Sequence, residues 1–248
     1  MSSATAALPS EDRPLTEVER VVDTFVAPAK TFTDIRRNAS WWLPWLLSAI
    51  IGSAMVFVVD TKVGMEKVSE NRLSLTPKQA AKLEQLPPEQ RARQMEIAAK
   101  FTRYFSYCFP LFFLLIVAII AAVLLGTFNF GFGAELKFKH CFAVSMYAFL
   151  PGVIKAILAI LIVLATGGEN FTFENPVASN LGTFVDPSST FLYSIASSID
   201  VFTIWTLILT AIGYSCLTKV KRSTCYGVIF GWWVVNTLIW SGFGAVFS

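Results

Sequence analysis

The sequence is poor in charged residues, which make up only 15% of its 248 positions. A soluble domain of this size usually has about a quarter of its residues charged. By contrast, 54% of the residues are hydrophobic, and phenylalanine alone supplies 22 of them. These proportions exclude an ordinary soluble enzyme and a disordered chain.

Residues that carry site chemistry are equally scarce. His140 is the single histidine, and the sequence contains no HExxH, GxSxG, P-loop or glycine-rich dinucleotide motif. Zinc sites and disulfide frameworks need closer cysteine spacing than is found here. The four cysteines form no CxxC pair and are interpreted as small membrane-buried hydrophobes: Cys108, Cys141, Cys216 and Cys225. We therefore predict no metal, no cofactor, no catalytic residue and no enzyme activity.

Basic runs are also missing, since no stretch of Lys or Arg is longer than two residues and the net charge is only +3. Nucleic acid is therefore not a predicted partner. Long apolar runs are what the sequence has instead, and a membrane helix needs roughly 20 such residues. We predict an all-α polytopic membrane protein whose five-helix transmembrane bundle occupies 41–247, with spans at about 41–59, 105–126, 141–165, 191–216 and 225–247.

The N-terminal region divides into two parts. Residues 1–14 are small and polar and are predicted to form a disordered tail. Residues 15–38 have apolar side chains at helical spacing, and Pro28 interrupts them. We interpret this segment as an amphipathic helix at the membrane interface, broken near Pro28. The alternative is a small helix packed on the cytoplasmic loops.

Residues 60–104 differ from the apolar segments around them. They contain nine Lys or Arg residues and six Asp or Glu residues. Thr76 followed by Pro77 and Gln79 predicts a helix start with a capping box, and Pro87-Pro88 ends that helix. We predict a solvated helical hairpin inserted between the first two spans.

The orientation follows from the positive-inside rule. Loop 166–190 has no positive residue, whereas three other loops do: Lys30, Arg36 and Arg37; Lys137 and Lys139; Lys219, Lys221 and Arg222. This pattern places the N-terminus in the cytoplasm and the C-terminus outside. The hairpin 60–104 disagrees, because it faces outward in this arrangement with three more positive than negative residues.

Two charged residues lie well inside predicted spans, Lys155 in the third and Asp200 in the fourth. Intramembrane charge is costly and points to a function or to a partner. At 1.5 Å per residue the two alpha carbons lie within roughly 3 Å of the same depth, so they can pair. A charge relay or ion site is one interpretation, and a neutralised pair that fixes helix register is the other.

Two further motifs concern helix geometry. Pro151-Gly152 precedes Lys155 by one turn and frees a backbone carbonyl near Tyr147, which makes either a hinge or a kink repaired by neighbouring helices. Gly227 and Gly231 form a GxxxG step in the fifth span. Small residues allow close helix packing, within the chain or between subunits.

Taken in order, several loose motifs resemble the Yip (Ypt-interacting protein) family, and its bacterial members in particular. The resemblance covers about residues 18–245 and is carried by Phe25-x-x-Pro28-x-x-x-Phe32-x-x-Ile35, Trp41-Trp42-x-Pro44, Gly126, Phe138-Lys139, Tyr147-x-x-x-Pro151, Trp205, Gly213, Lys219-x-Lys221 and Gly227. It implies the five-span layout with a cytoplasmic N-terminus that the charges indicate.

The resemblance also bears on function. Eukaryotic relatives are implied to act in vesicle traffic through small GTPases, and they have an acidic-leucine-glycine-proline motif before the first span. This sequence has Phe25-x-x-Pro28 instead, so GTPase binding is not carried over. We predict a non-enzymatic scaffold or adaptor in a bacterial cytoplasmic membrane, with the bilayer and other membrane proteins or its own copies as partners. The alternative is a small transporter or channel that uses Lys155 and Asp200.

Overall fold

The computed structural model describes residues 13–247, and the regular secondary structure among them is helical, with no strand. The predicted tail 1–14 therefore lies almost entirely outside the described residues. In the described range the α-helices are α1 (Glu17–Val26), α2 (Pro28–Ile35), α3 (Trp42–Lys62), α4 (Met65–Ser74), α5 (Pro77–Glu84), α6 (Pro88–Tyr107), α7 (Phe109–Phe132), α8 (Phe138–Ala148), α9 (Pro151–Thr166), α10 (Thr190–Ser198), α11 (Val201–Leu217) and α12 (Arg222–Phe247).

Four helices of the described chain are long and apolar enough to cross a membrane, where the sequence predicts five spans. They are α3, α7, α8 with α9 taken together, and α12. The predicted fourth span, 191–216, is wrong as a single helix, because the chain leaves helical geometry at Ile199 and Asp200. The break leaves α11 with 17 residues, fewer than a typical span.

The third predicted span contains a short break at Phe149 and Leu150, after which Pro151 is the first residue of α9. Pro151 has no N–H to donate to the carbonyl of Tyr147. That carbonyl accepts a hydrogen bond from the backbone N of Leu150 instead, at 3.1 Å. One tight turn therefore satisfies the freed group, and the helix pair continues across the bundle.

The insert 60–104 contains three helices, α4, α5 and α6, and not a simple hairpin. The predicted capping box at Thr76 does not form, because the Thr76 hydroxyl donates to the carbonyl of Leu73 at 3.1 Å. The last turns of α6 expose a stripe of apolar and aromatic side chains that begins in the insert and continues into the second predicted span: Ile97, Phe101, Tyr104 and Phe105. This stripe leads into the exposed apolar face of α7.

The core of the bundle surrounds α8, whose residues from Cys141 to Ala148 are all buried. Helices α7 and α11 pack on α8, and α3 packs along α9. The short α2 fills the remaining side, where Phe32 and Ile35 have no exposed surface. Helix α2 is therefore built into the core of the bundle.

Candidate functional site

Lys155 and Asp200 contact each other. The Lys155 ammonium nitrogen lies 3.1 Å from Oδ2 of Asp200, and the two side chains are 21% and 3% exposed. Lys155 lies in the second turn of α9, and Asp200 lies in the break between α10 and α11. Because Asp200 has left the helix, its carboxylate can turn toward α9.

Asp200 is also the N-cap of α11. Its Oδ1 accepts hydrogen bonds from the backbone N–H groups of Phe202 and Thr203, at 3.0 and 3.1 Å. These donors belong to the first turn of the helix, where no intrahelical acceptor exists. Its Oδ2 accepts from Lys155 and from the hydroxyl of Ser179. Both carboxylate oxygens are therefore occupied by groups of the chain itself.

A segment of the loop before α10 fills the helix break. The backbone N of Val201 donates to the carbonyl of Ser179, and the N of Leu181 donates to the carbonyl of Ile199, both at 3.2 Å. Non-helical backbone at membrane depth is tolerated where protein covers it. The sequence identified 166–190 only as an acidic external loop, and nothing in its composition showed that part of it enters the bundle.

A polar cleft of about 200 Å³ lies beside this segment. Its walls are mainly amide and hydroxyl side chains: Asn71, Ser74, Asn170, Thr172, Asn175 and Tyr193. Asn175 connects the cleft to the break, because its Oδ1 accepts a hydrogen bond from Nδ2 of the buried Asn180 at 2.7 Å. No group of three His, Cys, Asp or Glu side chains that could hold a metal ion is found in the described part of the chain.

A second buried charge centre lies on the N-terminal helices, and sequence reasoning missed it. Arg20 of α1 is 1% exposed and Asp34 of α2 is 7% exposed. The Arg20 Nε and Nη2 atoms lie 2.8 and 2.7 Å from Oδ2 of Asp34. A buried guanidinium needs such a partner, because the desolvation cost of an unpaired charge is several kcal/mol.

The same centre ties α1 to α8. Arg20 Nη1 lies 3.4 Å from Oε1 of Glu17, and the Tyr147 hydroxyl donates to Oε2 of Glu17 at 2.7 Å. The hydroxyls of Thr24 and Thr31 both donate to the carbonyl of Arg20, at 2.7 and 3.0 Å. These contacts close the α1–α2 turn and fix it to the wall of the bundle.

Residues 22–243 match the family model described as the Yip1 domain. The chain belongs to the Yip1 domain family. The match covers both charge centres apart from Glu17 and Arg20, and it confirms the family that the sequence motifs indicate. No curated protein and no solved structure matches the chain significantly. With four apolar helices, this Yip1 domain protein is a multi-pass integral membrane protein.

The predicted site residues of this Yip1 domain protein that remain are three glycines, one at the predicted kink and two in the predicted packing step. Apart from its chain neighbours and the backbone of its own helix turn, a Cβ atom added at Gly152, Gly227 or Gly231 would meet no atom of the described residues within 4 Å. The GxxxG step therefore faces away from the other helices, and the predicted packing within one chain is not seen there. Close helix approaches are found instead at Gly213, where a Cβ would lie 2.3 Å from Cγ1 of Val144, and at Gly52, where one would lie 2.5 Å from Cε1 of Phe109.

Proposed function

We propose that the protein is a non-enzymatic scaffold or adaptor of the bacterial cytoplasmic membrane, a bacterial-type member of its family. The observation that carries the proposal is the saturation of Asp200. A carboxylate that serves an ion or proton path must exchange partners with the ligand, whereas this one already accepts from four donors of its own chain. Its role is then to hold α9, α11 and the Ser179 segment together.

The proposed orientation has the N-terminus in the cytoplasm and the C-terminus outside, with α10 and α11 together as the fifth crossing. Support comes from the basic residues around His140. Arg36, Lys137 and Lys139 all act electrostatically on that side chain, so positive charges from two separate segments gather at one end of the bundle. The acidic loop 166–190 lies at the far end of α9.

In this arrangement the N-terminal helices and the apolar outer faces of α7 and α12 are the surfaces offered to the bilayer, to other membrane proteins or to a second copy. Many large apolar side chains are exposed there, among them Leu115, Ile119 and Trp240. GTPase recognition is not part of the proposal, because the acidic-leucine-glycine-proline motif of the eukaryotic relatives is missing.

The alternative is a small transporter or channel, and one observation favours it. A discontinuous membrane helix with an ionisable residue at its break is a recurring feature of transporter binding sites. Ile199 and Asp200 form such a break between α10 and α11. The two functions differ in whether water reaches Lys155.

The experiment is water accessibility at position 155. Lys155→Cys is made in a variant whose four native cysteines are alanine, and membrane-impermeant thiol reagents are applied from each side. Phe184→Cys is the matched control, because Phe184 is 86% exposed in the acidic loop. We expect labelling at position 184 from one side and none at 155 from either side. Labelling at position 155 would contradict the scaffold and favour the transporter or channel.

A further inference from the structure

Helix α1 has its polar face turned toward the protein and its apolar face turned outward. Val18, Val22 and Val26 recur every four residues and are 66%, 54% and 74% exposed. Arg20 and Thr24 lie two residues further along, and they are 1% and 0% exposed. A step of two residues is a rotation of about 200°, so the two sets occupy opposite sides of one helix. In a water-exposed helix the sides would be reversed.

The position of α1 along the bundle shows what surrounds the valines. The hydroxyl of Tyr147 reaches Glu17, and Tyr147 lies nine residues after the start of α8 at Phe138. The ring of Phe25 packs on Trp205 with centroids 5.5 Å apart, and Trp205 lies twelve residues before the end of α11 at Leu217. At 1.5 Å per residue these contacts lie about 14 and about 18 Å from helix ends that share one side of the bundle. The headgroup layer is only about 5–8 Å thick, so both contacts of α1 lie deeper than the headgroups.

The two remaining edges of α1 agree with this depth. Glu19 and Asp23 lie on the edge between the valines and Arg20, and both form ion pairs, with Arg13 and Lys30 respectively. Phe25 lies on the opposite edge, against Trp205. One edge of the helix is thus charged and the opposite edge carries the aromatic Phe25. With the charged edge toward the headgroups, the valines point along the membrane plane, away from the bundle. This is the arrangement of a helix that lies in the membrane plane below the headgroups.

We infer that α1 is an in-plane helix seated below the headgroups, with Val18, Val22 and Val26 in contact with lipid acyl chains of the cytoplasmic leaflet. The buried Arg20–Asp34 pair anchors the helix to the bundle from the protein side, and the charged edge faces the headgroups. Lipid is what covers the three valines, because the contacts of α1 with Tyr147 and Trp205 place this face at the depth of the membrane-spanning helices. The inference rests on the proposed function and its orientation, and it gives the proposed scaffold a specific lipid-contacting surface in one leaflet.

The test is a depth measurement with spin labels in reconstituted vesicles. Val22→Cys is labelled in the variant whose native cysteines are alanine, and the accessibility of the label to molecular oxygen is compared with that to a water-soluble nickel chelate. Leu115→Cys on α7 is the lipid-facing control, at 57% exposure, and Arg91→Cys on α6 is the aqueous control. We expect the oxygen-to-nickel ratio at position 22 to lie within about twofold of the Leu115 value and several-fold above the Arg91 value.

Two outcomes would overturn the inference. A ratio at position 22 equal to that of the aqueous control means that water covers the valines. Low accessibility to both reagents, with dipolar broadening between labels, means that a second copy covers them. Val18→Cys is predicted to behave like Val22→Cys and serves if the first variant folds poorly. The depth at position 22 is independent of labelling at position 155, so failure here is distinguishable from failure of the proposed function.

Discussion

The two buried charge centres of this molecule were not equally visible in the sequence. Lys155 and Asp200 stand alone in apolar runs, so their cost in a membrane identifies them at once. Arg20 and Asp34 lie among other charges in segments that look solvent-exposed. Yet Arg20 is 1% exposed and Lys155 is 21% exposed. The less conspicuous cation is the more deeply buried one, because the side of an amphipathic helix that becomes buried is decided by its tertiary partners.

The largest expected effect comes from breaking the Arg20–Asp34 pair. Arg20→Met leaves the Asp34 carboxylate buried without its cation, and we expect a loss of about 3–5 kcal/mol in the free energy of unfolding. Asp34→Asn should cost a similar amount, for the mirror-image reason. The measurement is a denaturant titration of the purified protein in detergent. The double variant should recover much of the loss, since neither charge remains unpaired.

Single-variant losses below about 1 kcal/mol would show that Arg20 reaches water in the folded protein. Arg20 would then no longer be the more deeply buried cation of the two centres.

The corresponding change at the second centre is Lys155→Met, and we expect a smaller loss, about 2–3 kcal/mol. After the change Asp200 still accepts from the hydroxyl of Ser179 and from two backbone N–H donors, which limits the cost of leaving its carboxylate without the ammonium group. The variant Lys155→Met with Asp200→Asn should recover part of the loss, because Asn also caps a helix well. The same titration measures both. Equal damage in the single and double variants would mean that the pair contributes nothing by itself.

Composition and apolar length were sufficient to predict an all-helical, multi-pass membrane protein, because the bilayer imposes both. They were not sufficient for the break between α10 and α11. Residues 191–216 are apolar enough to be read as one span, and Asp200 is their single charge. The helix ends there because Asp200 caps α11 and pairs with Lys155 and the Ser179 segment. Those partners are 45 and 21 residues away in sequence, beyond the range of any local pattern.

A third pair of variants compares the close approaches near the two centres. Gly213→Ala places a methyl group 2.3 Å from Val144, where α11, α8 and α2 meet, and we expect a loss of about 1–3 kcal/mol from overpacking. Gly182→Ala places one 2.1 Å from the Ser197 hydroxyl, at the segment that fills the helix break. Its loss should be similar, because the Ser197 hydroxyl can rotate away but Oδ1 of Asn180 and the backbone Cα of Ser197 would also lie only 2.9 and 3.1 Å from the new methyl group.

Gly227→Ala is the matched control for both, since a Cβ there meets open space within a helix. It should be neutral or slightly stabilising, because alanine favours helix over glycine. A large loss at Gly227 would point instead to a contact with a second copy.

The smallest expected effect is the acid sensitivity of the first turn of α1. A hydrogen bond from Arg13, together with the backbone N–H and hydroxyl of Thr16, lowers the pKa of Glu19 from 4.5 to about 2. Because the pKa in the folded protein is depressed, the stabilisation is fully present above about pH 4.5 and is lost as the pH falls toward 2.

Glu19→Gln removes this pH-dependent contribution, and the melting temperatures of the two proteins, measured from pH 7 to pH 3, test it. The parent should melt slightly higher at neutral pH, and the difference should shrink on acidification. A difference that stays constant with pH would show that the Glu19 carboxylate contributes through packing alone. The capping contacts would then have no part in holding the charged edge of α1 toward water.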